Sequence, residues 1–572
     1  MKKIVLLLAI ACVCLTAATQ NPPKWMNKTK KAVLTVTTFD KDNRRINATT
    51  GFFITETGEL LSAYSLFKGA ARATVTDTEG NEYPVVSVIG ADDLYDVVRL
   101  KAAVPKKAPY IPLATAPVAA GSPVYLLSYS TGKNVLFKQG EIAEVSKLND
   151  SYRYYKLSFP LTAEQVNGPL LLPTGEVFGL AQEDASGKKE HSYAVSAGYA
   201  SSLRVSTSDA FNTVYTTIGI RKAWPEEIEQ ASIFLFLLSN NQDVPAYLET
   251  LNDFIAAFPL EAEGYMNRAS HYANNREALS AAGYSDCLAL ALADVNTAIK
   301  YNKNKGEAYY DRAKLVFSVA ANDSTITDPN WTVEAAIAAI GKAVAEEDLP
   351  LYRQLEGDIY FYQGAYEEAF DDYMRVNDSD FSSANSYYWA AKAKERIAGA
   401  QISDIIALLD SALSKMGTPL TAEAAPYLLE RIEYKVQLSL FKEAIADYDL
   451  YYNLLDGKVG DAFYYYREQA KSKAGDNEGA LQDIREAARL SPDSPDYYAE
   501  EAAVLVRMQR YDEALAGIQK ALALAPEFSS CYRLRGICYI RQGKKDEACE
   551  AFNRAKELND PVVARLIKEH CR

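Results

Sequence analysis

The stretch LEGDIYFYQGAYEEAFDDY, residues 355–373, decides the second half of the chain. Gly357 is followed by Tyr360 at helical spacing, Gly364 supplies a turn, and Ala369 and Tyr373 stand one helical turn apart in the segment beyond it. The pattern predicts two short helices packed closely. Small residues let the helix backbones approach, and large rings fill the space around the contact. The same order returns at the C-terminus through Tyr532, Gly536, Tyr539, Gly543, Ala548, Phe552 and Ala555. Ala480, Ala514 and Ala548 recur every 34 residues, as do Pro492 and Pro526.

A 34-residue period carrying this pattern resembles the tetratricopeptide repeat family. The resemblance implies helix pairs stacked into a solenoid whose concave face binds peptides or partner proteins. Further first-helix tyrosines at Tyr265, Tyr309, Tyr387, Tyr464 and Tyr498 extend the array to on the order of eight repeats. We place it over residues 225–561, entered at Trp224-Pro225-Glu226-Glu227, where proline and acidic residues open a helix. VVARLIKEHCR, residues 562–572, is expected to cap the last repeat. Carried over from family positions, Tyr310, Lys314, Phe317, Tyr388, Lys392, Tyr465, Gln469, Arg533 and Ile537 are candidate partner contacts. For each the competing role is solvated helix face or packing between repeats.

From residue 31 to 205 the period changes from helical to alternating. Short runs such as KAVLTVTTFD, TGFFITETGELLSA, PVYLLSYS and GPLLLPTGEVFGLA are separated by turn signals at Thr57-Gly58, Glu79-Gly80 and Thr174-Gly175. This predicts an all-β barrel or sandwich.

The order of the pieces resembles the HtrA (Do-like) branch of the trypsin-like serine proteases, and so implies a double β-barrel. Gly51-Phe52-Phe53-Ile54 leads through Gly58 to Leu61-Ser62-Ala63-Tyr64-Ser65, where the family carries its histidine. Asp96-Val97-Val98-Arg99-Leu100-Lys101 is similar to the aspartate segment, and Glu164-Gln165-Val166-Asn167-Gly168-Pro169-Leu170 to the serine loop. On this resemblance the histidine position holds Ser65, the nucleophile position Val166 and the oxyanion-hole glycine position Glu164, while Asp96 is kept. A serine nucleophile needs an imidazole to take its proton and a carboxylate to orient that imidazole. The chain has three histidines, His191, His271 and His570, none of which precedes Asp96. A glutamate at the oxyanion position would set negative charge where negative charge must be stabilised. We therefore expect no catalytic residues and no proteolysis. Asp96 is then a loop-capping carboxylate and His191 a solvated residue at a strand start. The cleft either still captures an extended peptide on its strand edges or serves as a rigid platform.

Composition fits a folded chain: of 572 residues, 48% are hydrophobic and 24% charged. The start, MKKIVLLLAIACVCLTAATQ, has the basic, apolar and small-residue sections of a secretory signal over residues 1–18. A membrane anchor is the competing reading, and lipid attachment at Cys12 a weaker one. No later stretch is apolar over the length a bilayer requires. Residues 19–205 carry 21 basic and 18 acidic side chains, the remainder 38 and 57. The change of sign marks a domain boundary, with a linker over 206–224, and the net negative charge disfavours nucleic acid. Cys531, Cys538, Cys549 and Cys571 cluster at the C-terminus as candidates for one disulfide or as buried thiols. No phosphate loop, His-Glu-x-x-His, calcium loop or dinucleotide fingerprint occurs, so neither cofactor nor metal is expected.

These features predict an exported, non-catalytic adaptor, periplasmic or associated with the outer membrane of a Gram-negative bacterium, that binds a protein or peptide through its repeats. The alternative is a serine-type endopeptidase or quality-control protease with an unfamiliar catalytic arrangement.

Overall fold

The computed structural model describes residues 22–184, 186, 190–239 and 242–571. The expected signal segment and Cys12 lie outside them. The chain divides into two compact units, Met1–Tyr301 and Asn302–Arg572.

In the first unit, β1 (Val33–Phe39), β2 (Arg45–Phe53), β3 (Glu59–Ser62), β4 (Arg72–Thr76), β5 (Glu82–Asp92) and β6 (Val97–Ala102) close a barrel in the order β1-β2-β3-β6-β5-β4. A second barrel is built from β7 (Pro123–Leu127), β8 (Phe137–Lys147), β9 (Arg153–Leu157), β10 (Pro169–Leu171), β11 (Val177–Gln182) and β12 (Ser192–Ser196), closing as β10-β11-β12-β9-β8-β7. Every pairing is antiparallel. This is the trypsin-like double barrel the strand order predicted. Alternation produces it: in β1, Leu34 and Val36 point inward and are fully buried, while Thr35 and Thr37 are half-buried. Gly58 makes the turn into β3 at φ 92°, and a Cβ there would lie 2.7 Å from the Ala102 carbonyl oxygen.

The segment 206–224, expected as a linker, is a packed strap on the first barrel. Tyr215, Ile218 and Ile220 join that barrel's core. Backbone bonds Gly69 N to Thr217 O and Gly219 N to Ala70 O hold it, and Val88 forms a bridge with Lys222. The sequence signal was misleading because three apolar residues spaced irregularly carry no strand or helix period. Helices follow, beginning with Ile228–Ser239, Val244–Ala257 and Ala262–Asn274. Trp224 stands edge-on to both Phe234 and Phe254.

The second unit contains seven successive helix pairs among the described residues, from Lys305–Asn322 with Val333–Glu346 to Ser529–Arg541 with Lys545–Glu557. Within each pair the helices pack on one another, as the repeat pattern requires. Gly536 shows why. A Cβ on it would fall 2.3 Å from the Phe552 ring, so only glycine lets the two helices close around that ring. Ala480, Ala514 and Ala548 are fully buried at the recurring contact. Buried arginine–carboxylate pairs tie first to second helices: Arg431 to Asp447, and Arg467 to Asp483. The helix Val563–His570 follows the last pair. Cys549 and Cys571 form a disulfide, while Cys287, Cys531 and Cys538 are buried free thiols. No helix among the described residues is long and apolar enough to cross a membrane.

Candidate functional site

The site begins where β3 ends. A single 3-10 turn, Ser65–Phe67, is pinned by the buried side chains of Leu66 and Phe67 and leaves Ser65 exposed. Asp96, at φ 48°, stands immediately before β6. Its carboxylate accepts two bonds from Ser65, from the backbone N to Oδ1 at 2.6 Å and from Oγ to Oδ2 at 2.9 Å. The first barrel thus brings together two of the residues singled out from sequence. Asp96 caps the Ser65 turn with both oxygens, which is a positioning role for a loop. No imidazole stands beside it: His191 lies at the approach to β12, its Nδ1 buried without a partner among the described residues, and His271 bonds the Val244 carbonyl elsewhere.

The second barrel supplies the other wall. The 3-10 turn Ala163–Gln165 is closed by a capping box in which Gln165 Oε1 accepts from the Thr162 amide at 3.0 Å. Glu164 projects from this turn and is exposed; Val166 follows in extended conformation and is half-buried. Asn167, which sequence reasoning passed over, is one of the residues that join the barrels. At φ 64° it is 6% exposed; its N donates to Ala181 O, and its Nδ2 donates to Thr49 Oγ1 at 3.1 Å. Asparagine tolerates left-handed backbone, and that was the available signal.

Between the barrels lies a cavity of about 790 Å³, lined by Thr35 and Ala48–Thr50 from the first barrel and Ser128, Tyr129, Val135–Phe137 and Thr162–Gln165 from the second. Among the described residues, Glu164 is the one carboxylate on its wall and no Lys, Arg or His shares it. Leu136 is 51% exposed there. The wall is therefore apolar and neutral apart from Glu164 among the described residues.

A tyrosine cluster was also unseen in sequence, because its members come from separate elements. Tyr95 and Tyr152 both pack edge-on to Tyr199, and Tyr154 stacks on Tyr193. Gln182 locks the group: its Nε2 donates to Tyr95 O at 2.6 Å and its Oε1 accepts from Tyr154 Oη at 3.0 Å. Burial pushes the Tyr154 phenol up to about 12, and burial with a hydrogen bond to Asp92 raises Tyr199 further. These phenols stay protonated and structural.

In the second unit the expected partner-contact residues divide. Lys314 is exposed. Most others are half-buried and engaged: Tyr310 stacks on Tyr352, Phe317 meets Tyr362, and Tyr465 packs with Tyr497. Tyr388 Oη and Lys392 Nζ both reach Glu430. Gln469 donates to Glu468, and Arg533 to Asp560. Ile537 is half-buried against the last pair. The rings and charges on these first helices therefore serve contacts between repeats as well as facing outward.

Comparison with known families agrees with both halves. Residues 49–180 match the family model of the trypsin-like peptidase domain, and residues 499–561 that of the tetratricopeptide repeat. Among solved structures, the Rv3671c protease from M. tuberculosis in its active form is similar over 31% of this chain and 80% of its own, at 20% identity and a TM-score of 0.27. No curated protein matches the chain. The protein is thus a protease-like double barrel followed by a protein-interaction repeat region.

Proposed function

We propose that the chain is an exported, non-catalytic adaptor: its repeats hold a polypeptide partner, and its barrel pair has given up peptide hydrolysis and serves as a platform. The observation that carries this reading is the pair of hydrogen bonds that Ser65 donates to Asp96. Asp96 spends both oxygens on a loop, and Ser65 stands where an imidazole would have to be. Val166 offers no nucleophile, and the exposed Glu164 opposes a developing oxyanion. Export is supported by the signal-like residues 1–18 and by the Cys549–Cys571 disulfide, which an oxidising compartment favours. The acidic balance argues against nucleic-acid partners.

The reading is tested with a fluorophosphonate probe, which marks activated serines whatever their position. The adaptor reading expects no labelling of the native fold above that of unfolded chain. Specific labelling of a single serine would favour an endopeptidase of unfamiliar arrangement.

A further inference from the structure

The last three repeats differ in charge from the helices before them. Residues 206–460 carry 20 basic and 38 acidic side chains, whereas residues 461–572 carry 18 and 19. Three of the basic residues, Lys473, Arg507 and Arg541, recur at the 34-residue period. They sit in the last turn of three successive first helices, Asp461–Ala474, Pro495–Arg507 and Ser529–Arg541. Equivalent positions in stacked repeats fall in one row, and all three side chains are exposed. Lys473 and Arg541 make no ion pair among the described residues.

Arg507 is aimed along the row. Its Nη2 donates to Ser472 Oγ, beside Lys473, at 2.7 Å, and that hydroxyl donates to Glu468 Oε1 at 2.6 Å. Glu468 is fully buried at the position that Ala502 and Gly536 fill in the next two repeats. A carboxylate placed where the pattern calls for a small residue therefore tethers the first two rungs together. Along one side of the row run Val506, Ile537 and Ile540, each only partly buried. A basic residue in a last turn also complements the helix dipole, but that role requires neither a common period nor an apolar border.

We propose that this row is a docking track for an extended acidic segment of a partner polypeptide. The proposal rests on the reading of the repeats as a partner-binding surface and specifies the partner's chemistry. The first helices Pro495–Arg507 and Ser529–Arg541 touch, packed helices lie about 8–10 Å apart, and an extended chain advances about 3.3 Å per residue. Carboxylates at every third residue would then meet successive rungs, with the side chains between them resting on the apolar border. Charge complementarity selects this occupant over a basic or neutral segment.

The experiment uses fluorescence anisotropy of a labelled twelve-residue peptide with glutamate at every third position and apolar residues between. A second peptide carries glutamine at those positions. Both are titrated with the full chain and with its Lys473→Gln/Arg541→Gln variant, which keeps Arg507 and its bond to Ser472, and melting curves are recorded for both proteins. The expected result is binding of the acidic peptide that weakens with salt and falls about tenfold or more in the variant at unchanged melting temperature. Absence of binding to the native chain, or equal binding by the variant, would overturn the track. If the glutamine peptide binds native chain and variant equally, the track fails while the repeats still stand as a polypeptide-binding surface. Self-association of the native chain that the variant abolishes would also overturn it, since the row would then serve a second copy.

Discussion

Ser65 and Asp96 are joined twice, backbone amide to Oδ1 at 2.6 Å and hydroxyl to Oδ2 at 2.9 Å. The two bonds are unequal in what they support. Both are exposed, but the hydrogen bond from the amide caps the turn Ser65–Phe67 that seats Leu66 and Phe67 in the first barrel, while the one from the hydroxyl ties only the side chain. Ser65→Ala is expected to cost about 0.5–1 kcal/mol and Asp96→Ala about 2 kcal/mol, since the second loses both bonds. Urea denaturation of the two variants checks the order.

Asn167 combines left-handed backbone with a bond across the barrels to Thr49. Asn167→Gly keeps the backbone and loses the bond; Asn167→Ala loses both. The glycine variant should cost about 1 kcal/mol and the alanine variant about 1–2 kcal/mol more. Thr49→Val should match the glycine variant, and the double Asn167→Gly/Thr49→Val should cost less than the sum, a coupling that a double-mutant cycle measures.

Gly536 faces the Phe552 ring at a distance that leaves no room for a methyl group. Gly536→Ala is expected to destabilise the last repeat by about 1–3 kcal/mol through overpacking. Adding Phe552→Leu should recover part of the loss, an outcome that a loss of glycine flexibility alone would not produce. Thermal melting of the single and double variants decides it.

Both barrels and the helix pairs were legible in the sequence, and these residues explain why. Gly58 and Gly536 are glycines whose neighbours forbid a side chain, so the turn and the close helix contact leave a mark on the sequence. Ala480, Ala514 and Ala548 repeat because one steric problem repeats. What could not be read depends on residues distant in sequence. The strap over 206–224 has no period of its own, and the Tyr95, Tyr154 and Tyr199 cluster exists only once both barrels are closed. Four clustered cysteines allowed several pairings, and the helix Val563–His570 brings Cys571 to Cys549. Ser65 and Asp96 were identified singly from the family order; their bonding was not.

Glu468 gives the second unit a pH signature. Burial raises its carboxyl from 4.5 to about 6. Between those values the folded chain binds more protons than the unfolded one, so this group's contribution to stability falls as pH rises through the window. Glu468→Gln removes the effect, and its stability relative to the native chain should improve by about 2 kcal/mol between pH 4 and pH 7.5. Urea midpoints of the two proteins across that range test the sign; a constant difference would contradict it.

The central claim is that the double barrel does not cut peptide bonds. The most direct measurement is cleavage of an unfolded protein substrate by purified residues 19–572, beside the Ser65→His/Glu164→Gly/Val166→Ser variant. The account predicts no cleavage by the natural chain through repeated purification, whatever activity the variant gains. Cleavage that co-purifies with the natural chain and survives every step would contradict it.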